Sequence, residues 1–300
     1  MRFFCKRNLG YIVFAFFIFL TSCEVDYKPE APQEQRLVVE SLFSPDTSMQ
    51  LLVSLTQSPY EELKDPVLPD NIHITLNEDN KKSYDDFELI DNYFLLKDFF
   101  PSKGHYYNIT VTSDNYKSVS AKSYIPENIN LTSLNTGLGI DANGTRILNV
   151  NFEVEQDTVQ YLIIRHIVNK KVLSLQNDTI EYRDTAWLES QNKIFEDVLP
   201  ATATNKLLFA KINTGGTYSF YSYDGYYSDA NLIHGQSEFE FISCSKDYYE
   251  YMKSLIVLKW NKTLDNNSIV SPISLYSNVK NGFGIFAGYN MQYVKKEFKH

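Results

Sequence analysis

Hydrophobic and polar residues alternate along much of the chain with a period of two, as in β-strands that have one buried face. Tyr107, Ile109 and Val111, for example, are separated by single polar residues. Segments of this kind recur about every ten residues between turn signals, from residue 36 up to Pro126. This spacing predicts an immunoglobulin-like β-sandwich domain over residues 36–126, which ends at Pro126 because proline fits an edge or linker better than a central strand.

Residues 127–300 form the second predicted region, which is also rich in strand patterns. Its clearest strand candidates are the segments 145–156 and 159–175, and the second of these is almost continuously apolar. The high content of Tyr and Phe and the modest content of Gly and Pro also favour β-structure. We therefore predict a mainly β protein, in which the immunoglobulin-like sandwich is followed by a second, sandwich-like β-rich domain with one packed α-helix.

The predicted helix comes from one segment that departs from the alternating pattern. Its apolar positions recur three and four residues apart, as one helix face requires: Tyr248, Tyr249, Met252, Leu255, Ile256 and Trp260. Ser243 or Ser245 can cap the first turn, and Asp247 suits the positive end of the helix dipole. The pattern places the helix near residues 245–260, packed on a sheet.

The N-terminus combines a basic start with a short apolar run, which is the pattern of an export signal. The run, residues 9–20, would rise only about 18 Å as a helix, too little to cross a hydrocarbon core of about 30 Å. It ends in Leu-Thr-Ser-Cys at residues 20–23, which resembles a bacterial lipobox. An ordinary signal followed by an accidental cysteine is the alternative.

The lipobox interpretation predicts a lipoprotein signal peptide at residues 1–22 and a polar tether at residues 23–35. Cys23 would become the first residue of the mature chain and carry the acyl chains that hold it on a membrane. Several acyl chains on one residue anchor a domain far more firmly than one. The tether has charged residues, Pro and Gln but no apolar periodicity, so we expect it to be solvated.

The charge balance argues against nucleic acid as a partner. The chain has 28 basic and 37 acidic residues, which gives a formal net charge of −9 at pH 7. Loss of residues 1–22 removes three cations and no acids, and takes this charge to −12. Nucleic-acid binding needs clustered Lys and Arg, and a chain of this charge has no excess of them.

The sequence has no arrangement of residues that points to catalysis, a metal or another cofactor. The five histidines form none of the spacings that metal sites use. Cys5 leaves with the signal and Cys23 would carry lipid, so only Cys244 remains and no internal disulfide is expected. We interpret Cys244 as a small strand-end residue near the helix start rather than as a nucleophile. We predict that the protein is not an enzyme.

The most unusual local composition lies at residues 215–235, where aromatic residues crowd between glycines. Tyrosine presents a rigid apolar ring with a polar tip, which suits surfaces that bind ligands or proteins. The predicted ligand or partner contacts are Tyr218, Tyr221, Tyr223, Asp224, Tyr226 and Tyr227. The alternative is two aromatic strands joined by an Asp-Gly turn, with rings that only cover the core.

The C-terminal segment, residues 271–290, has a Pro, a short strand, Ser-Asn and a Gly-rich turn that runs into Gly-Ile-Phe. The residues of this motif are Pro272, Tyr276, Ser277, Asn278, Asn281, Gly282, Phe283, Gly284, Ile285, Phe286 and Gly288. Together with the lipobox and the strand at residues 37–43, it resembles a family of Bacteroidota outer-membrane lipoproteins catalogued as domain of unknown function 4249. Asn71 stands where members usually have Ala. The residues themselves indicate a structural closure of the second domain, because glycine allows close backbone approach.

This resemblance implies a function but carries no catalytic residues. Members commonly appear beside TonB-dependent outer-membrane receptors, which implies an accessory role in uptake. We therefore expect a non-enzymatic, lipid-anchored outer-membrane protein that binds or scaffolds a TonB-dependent transport system. We expect display at the cell surface, with the periplasmic leaflet as the alternative. A structural or adhesive surface lipoprotein and a hydrolase with a scattered active site are the alternative functions, and the sequence identifies no ligand.

Overall fold

The computed structural model describes residues 34–57, 65–155, 158–173, 178–200, 203, 205–223, 232–263 and 274–298. The described residues from Gln35 onwards belong to one compact unit. The predicted signal peptide, Cys23 and the tether as far as residue 33 lie outside the described residues. Within the described ranges, no helix is long and apolar enough to cross a membrane.

The described residues form three β-sheets and one helix, so the prediction of a mainly β fold is confirmed. The long sheet has the order β14 (Phe195–Glu196), β15 (Leu208–Ile212), β11 (Gln160–Leu173), β17 (Leu232–Cys244), β18 (Phe283–Phe298), β1 (Leu37–Phe43), β2 (Gln50–Leu55), β6 (Tyr93–Leu96) and β5 (Phe87–Ile90), and β12 (Thr179–Thr185) also pairs with β11. The first small sheet has the order β4 (Lys82–Tyr84), β3 (His73–Glu78), β7 (Tyr106–Ser113) and β8 (Tyr116–Tyr124). The second small sheet has the order β13 (Trp187–Glu189), β16 (Gly216–Tyr223), β10 (Arg146–Val154) and β9 (Leu131–Ile140).

One end of the long sheet and the first small sheet face each other across a shared core, as the first predicted sandwich requires. Apolar side chains of β1, β2 and β6 meet those of β3, β7 and β8 there. The predicted alternation in β7 is confirmed, since Tyr107, Ile109 and Val111 are buried and the residues between them are half-buried. Burial of each such side chain stabilises the fold by roughly 1.5–3 kcal/mol, so this core holds the first sandwich together.

Strand β18 connects the two predicted regions. Its first part pairs in parallel with β1, from Val38 opposite Phe283 to Phe43 opposite Gly288. From Tyr289 onwards it pairs antiparallel with β17. The two regions therefore share one sheet, although the boundary between them stays a prediction.

Two glycines allow β18 to lie this close to its neighbours. Gly284 has a φ of +109°, and a Cβ built on it would lie 2.0 Å from the carbonyl oxygen of Val39. A Cβ on Gly288 would lie 2.4 Å from the carbonyl oxygen of Tyr124. Because both neighbours are main-chain atoms, they cannot move aside for a side chain, and the approach to β1 and β8 requires glycine.

Asn278 fixes the turn that leads into β18. Its Oδ1 accepts a hydrogen bond from the Phe286 N–H at 3.0 Å, and its Nδ2 donates to the Phe286 carbonyl at 2.8 Å. Phe286 is fully buried in the core of the first sandwich, with its ring centroid 4.6 Å from that of Phe43. The interpretation of this motif as a closure of the second domain is too narrow, because Phe286 packs in the core of the first sandwich, whereas Ile285 packs in the cluster that includes Tyr249 of the predicted helix.

The other half of the long sheet is covered on both faces. One face meets the second small sheet across a second core, and the opposite face carries the helix. In β11, Leu162 and Ile164 point into this second core, whereas Ile163 between them packs under the helix. A strand buried on both faces needs apolar residues at every position, which explains why the β11 sequence is almost continuously apolar.

The predicted helix is confirmed and extends over Lys246–Asn261, named α1 here. Ser245 caps it, because its Oγ accepts a hydrogen bond from the Tyr248 N–H at 3.2 Å. The hydroxyl of Ser243 instead accepts from a backbone N–H in the segment before β9. Tyr249 is fully buried and fastens α1 to the long sheet.

Candidate ligand-binding cleft

The described tyrosines of residues 215–235 lie on β16, whose side chains alternate between the second core and the surface. Tyr218 is buried, with its ring 5.6 Å from that of Phe152 and its hydroxyl donating to the Thr214 carbonyl at 2.6 Å. Tyr221 and Tyr223 point to the opposite face and are half-buried. Tyr218 is therefore a core residue, which corrects its prediction as a contact residue.

The remaining predicted contacts, Asp224, Tyr226 and Tyr227, lie outside the described residues. The alternative was two aromatic strands joined by an Asp-Gly turn, with rings that cover the core. Tyr218 and Phe220 of β16 do lie in the second core, whereas the turn lies outside the described residues. β16 and β17, which flank that turn, belong to different sheets. β16 pairs with β10 and β13, whereas β17 pairs with β11 and β18. The two strands face each other across the second core instead of forming a hairpin.

A cleft opens beside the outward-facing end of β16. In the pairing of β13 with β16, Trp187 stands opposite Tyr223 and Glu189 stands opposite Tyr221. Directly opposed residues share one face of a sheet. Because Leu188 between them is buried in the second core, these four side chains point outward.

The cleft has a volume of about 570 Å³, which is within the usual range of small-molecule sites. Two aromatic rings, two carboxylates and an amide contribute to its lining, which consists of Trp187, Leu188, Glu189, Ser190, Asp197, Leu199, Pro200, Ala203, Asn205 and Tyr223. Trp187 is 49% exposed, so its ring is accessible to a ligand. Among the lining residues that the structure describes, there is no Lys, Arg or His.

Hydrogen bonds hold the polar groups of the cleft in place. The Tyr223 hydroxyl donates to Glu189 Oε2 at 3.0 Å. Burial raises the pKa of Tyr223 to about 12, with a further contribution from this carboxylate, so the hydroxyl stays protonated at neutral pH. Ser190 Oγ donates to the Ser219 carbonyl at 2.6 Å and accepts from the Asn192 N–H at 3.1 Å. Ser190 therefore supports the loop instead of acting as a free nucleophile.

A second, apolar pocket of about 470 Å³ adjoins the cleft. It lies between the C-terminal half of α1 and the segments 198–199 and 205–207, with Phe209 and Trp260 in its walls. Lys206 and Lys259 also line it. Trp260, which the sequence pattern assigns to the packed helix face, thus borders a cavity and is only half-buried.

A comparison with models of known protein families shows to which family this chain is related. The model of a family described as a domain of unknown function, DUF4249, matches residues 23–293. The chain belongs to the DUF4249 family. This confirms the family resemblance of the sequence, and the match includes the cleft as well as the C-terminal motif. Among curated proteins, no relative matches this chain.

Cys244 of this DUF4249 chain is buried at the last position of β17, next to the cap of α1. Its Sγ donates to the Tyr161 carbonyl at 3.6 Å. Burial raises the pKa of the thiol well above its ordinary value, so the reactive thiolate is disfavoured. Within the described ranges, no group of three or more His, Cys, Asp or Glu residues is placed to hold a metal ion.

His166 joins the two sheets of the second sandwich. It is fully buried, its Nδ1 lies 2.7 Å from Ser222 Oγ, and its ring stacks on Phe239 at 4.3 Å between centroids. Burial lowers the pKa of His166 to about 3. Because the unfolded value is about 6.5, the folded protein holds this histidine neutral over a range in which the unfolded chain protonates it.

We expect this protein to lose stability as the pH falls below 6.5, because the unfolded chain then binds a proton at His166 that the folded chain does not. Between pH 7 and pH 5 this linkage lowers the free energy of unfolding by about 2 kcal/mol. His166→Gln keeps a partner for Ser222 but does not titrate. The free energy of unfolding of this variant should therefore fall by about 2 kcal/mol less between pH 7 and pH 5 than that of the native chain. Urea unfolding at several pH values measures the difference, and equal pH slopes in the two proteins would contradict it.

The sequence did not single out four residues of the cleft, Trp187, Glu189, Asp197 and Asn205. One signal was present, since Trp-Leu-Glu at residues 187–189 alternates so that Trp187 and Glu189 share a face. A strand of three residues is too short to be recognised by periodicity. Its pairing with the distant β16 is a tertiary feature that the local pattern does not contain.

Proposed function

We propose that this DUF4249 protein is a non-enzymatic outer-membrane lipoprotein that binds or scaffolds a TonB-dependent transport system. Cys23 is its lipid anchor in this proposal, and the cell surface is its location. The lipobox pattern at residues 20–23 and the polar tether after it support the anchor. In this proposal the polar composition of residues 23–35 leaves the folded unit free to meet a receptor.

The cleft is the observation that carries the binding role. It combines two aromatic rings with hydrogen-bonding groups in a volume suited to a small ligand. The Glu189 carboxylate is held by Tyr223, and the hydroxyl of Ser190 is engaged within the fold. This arrangement favours the holding of a ligand over its chemical conversion.

The apolar pocket beside α1 supports the scaffolding role. Its walls are almost wholly apolar, and Lys206 and Lys259 add positive charge to its lining. Such a pocket suits an apolar side chain of a protein partner, with an acidic residue of that partner near Lys259, since Lys206 already pairs with Asp184 at 3.3 Å. The cleft and the pocket adjoin each other, so one partner could contact both.

Affinity purification of the tagged chain from outer membranes in a mild detergent tests this function. We expect one TonB-dependent receptor to co-purify in a near-equimolar amount, because the folded unit provides the contact surface. The matched control carries residues 1–35 of this chain on an unrelated soluble domain and should recover no receptor. Recovery of the lipoprotein alone, or of equal receptor with the control, would contradict the proposal.

The structural or adhesive alternative makes a different prediction for a deletion strain. It predicts intact receptor-dependent uptake together with altered envelope integrity or attachment. The proposed function predicts impaired uptake through the receptor that co-purifies. Uptake and attachment assays on the same strain therefore separate the two functions.

A further inference from the structure

The outer face of the second small sheet extends the cleft into a longer surface. Tyr221 stands opposite Glu189 in one pairing and opposite Asn149 in the other. Asn149 in turn stands opposite Gly137. These four residues form an outward-facing row across β13, β16, β10 and β9, which we call the outer row. With strands about 4.8 Å apart, the outer row spans about 14 Å.

The glycine end of the outer row is an open shelf. A Cβ built on Gly137 would meet nothing within 4 Å. A Cβ on Gly139 would lie 2.3 Å from Nδ2 of Asn149, so the Asn149 amide lies over Gly139. Gly137 thus leaves free space on the sheet, whereas the space over Gly139 is taken by the Asn149 amide.

We propose that the cleft and the outer row bind an uncharged oligosaccharide. The inference rests on the proposed function, because it names the ligand class of the site that the binding role uses. A surface of about 14 Å that begins in an aromatic cleft and ends on an open shelf fits an extended chain of sugar units better than a single compact ligand.

The chemistry of the surface matches that of a sugar. One face of a pyranose ring is a patch of C–H groups, which an exposed aromatic ring such as Trp187 can cover. Sugar hydroxyls both donate and accept hydrogen bonds. The Glu189 carboxylate accepts them, while the amides of Asn149 and Asn205 do both. Tyr223 already donates to Glu189, which orients the carboxylate before a ligand arrives.

Charge argues against the other ligand classes. Glu189 and Asp197 would repel an anion, and the lining residues that the structure describes include no cation to offset them. A cationic ligand would suit the carboxylates but would leave the amide donors of Asn149 and Asn205 without an acceptor. An uncharged polyol satisfies both kinds of group.

The test uses the lipidated chain in a detergent whose headgroup is not a sugar. The probes are neutral gluco-, manno-, xylo- and galacto-oligosaccharides on an array, followed by titration calorimetry of those that bind. We expect Trp187→Ala to weaken binding at least tenfold. Gly137→Val fills the shelf without strain and should weaken the longer oligosaccharides selectively. Tyr182→Ala, which removes another exposed tyrosine from β12, should leave the affinity unchanged.

Three results would overturn the inference, provided that circular dichroism shows folded variants. They are the absence of binding to every oligosaccharide at millimolar concentration, unchanged affinity in Trp187→Ala, and tighter binding of oligolysine than of any sugar. The purified chain needs no receptor to bind a sugar, and co-purification of a receptor needs no sugar. Failure of the inference and failure of the proposed function are therefore seen in separate experiments.

Discussion

Replacement of Gly284 by alanine is expected to destabilise the protein by about 4 kcal/mol or more. The φ of +109° disfavours any residue with a side chain, and the new Cβ would lie 2.0 Å from the Val39 carbonyl oxygen. Relief of that clash requires β18 to move away from β1, which opens the sheet that the two predicted regions share. Typical domains have only about 5–15 kcal/mol in total, so this variant should lose a large part of its free energy of unfolding.

Gly137→Ala is the matched control, since the same change is made in a strand where the space is open. A Cβ there meets nothing within 4 Å, so the free energy of unfolding should change by no more than about 0.5 kcal/mol. Urea unfolding of the chain prepared without signal peptide and lipid, followed by circular dichroism, compares both variants with the native sequence. Equal stability of the Gly284 and Gly137 variants would contradict the proposed packing of β18 against β1.

The elements that the sequence predicted well are those defined by neighbouring residues. The alternation of Tyr107, Ile109 and Val111 identifies a strand with one buried face because β side chains alternate regardless of the rest of the fold. The helix α1 could be predicted for the same reason, since its apolar spacing and the cap at Ser245 both involve residues that are close in sequence. Local periodicity therefore carried both predictions.

The sequence did not predict which strand pairs with the first part of β18. Its parallel pairing with β1 joins segments from opposite ends of the chain, from Val38 opposite Phe283 onwards. The glycines of the C-terminal motif indicate a close backbone approach but do not say which backbone approaches. The motif was consequently assigned to the second domain alone, whereas Phe286 lies in the core of the first sandwich.

The contact residues were predicted only in part for a related reason. Alternation in β16 places Tyr218 and Phe220 on one face and Tyr221 and Tyr223 on the other. Both faces are aromatic, so hydrophobicity does not reveal which one is buried. The answer depends on the second core, where Phe220 packs. The cleft then required Trp187, which comes from a different strand.

Replacement of Cys23 by serine is expected to move the chain from the membrane fraction to the soluble fraction almost completely. A serine oxygen is not the acyl acceptor that a lipobox predicts, and the described residues contain no helix that could span the bilayer in its place. The acyl chains are then the element that retains a polar domain on the membrane, because each buried CH₂ contributes about 0.8 kcal/mol. Cys244→Ala is the control, since the buried thiol at the end of β17 plays no part in anchoring.

Incorporation of labelled fatty acid into the native chain, read together with its fractionation, tests the anchor on which the proposed function depends. We predict label and membrane association for the native chain and for Cys244→Ala, and neither for Cys23→Ser. A native chain without label, or a Cys23→Ser chain that still sediments with the membranes, would contradict the account.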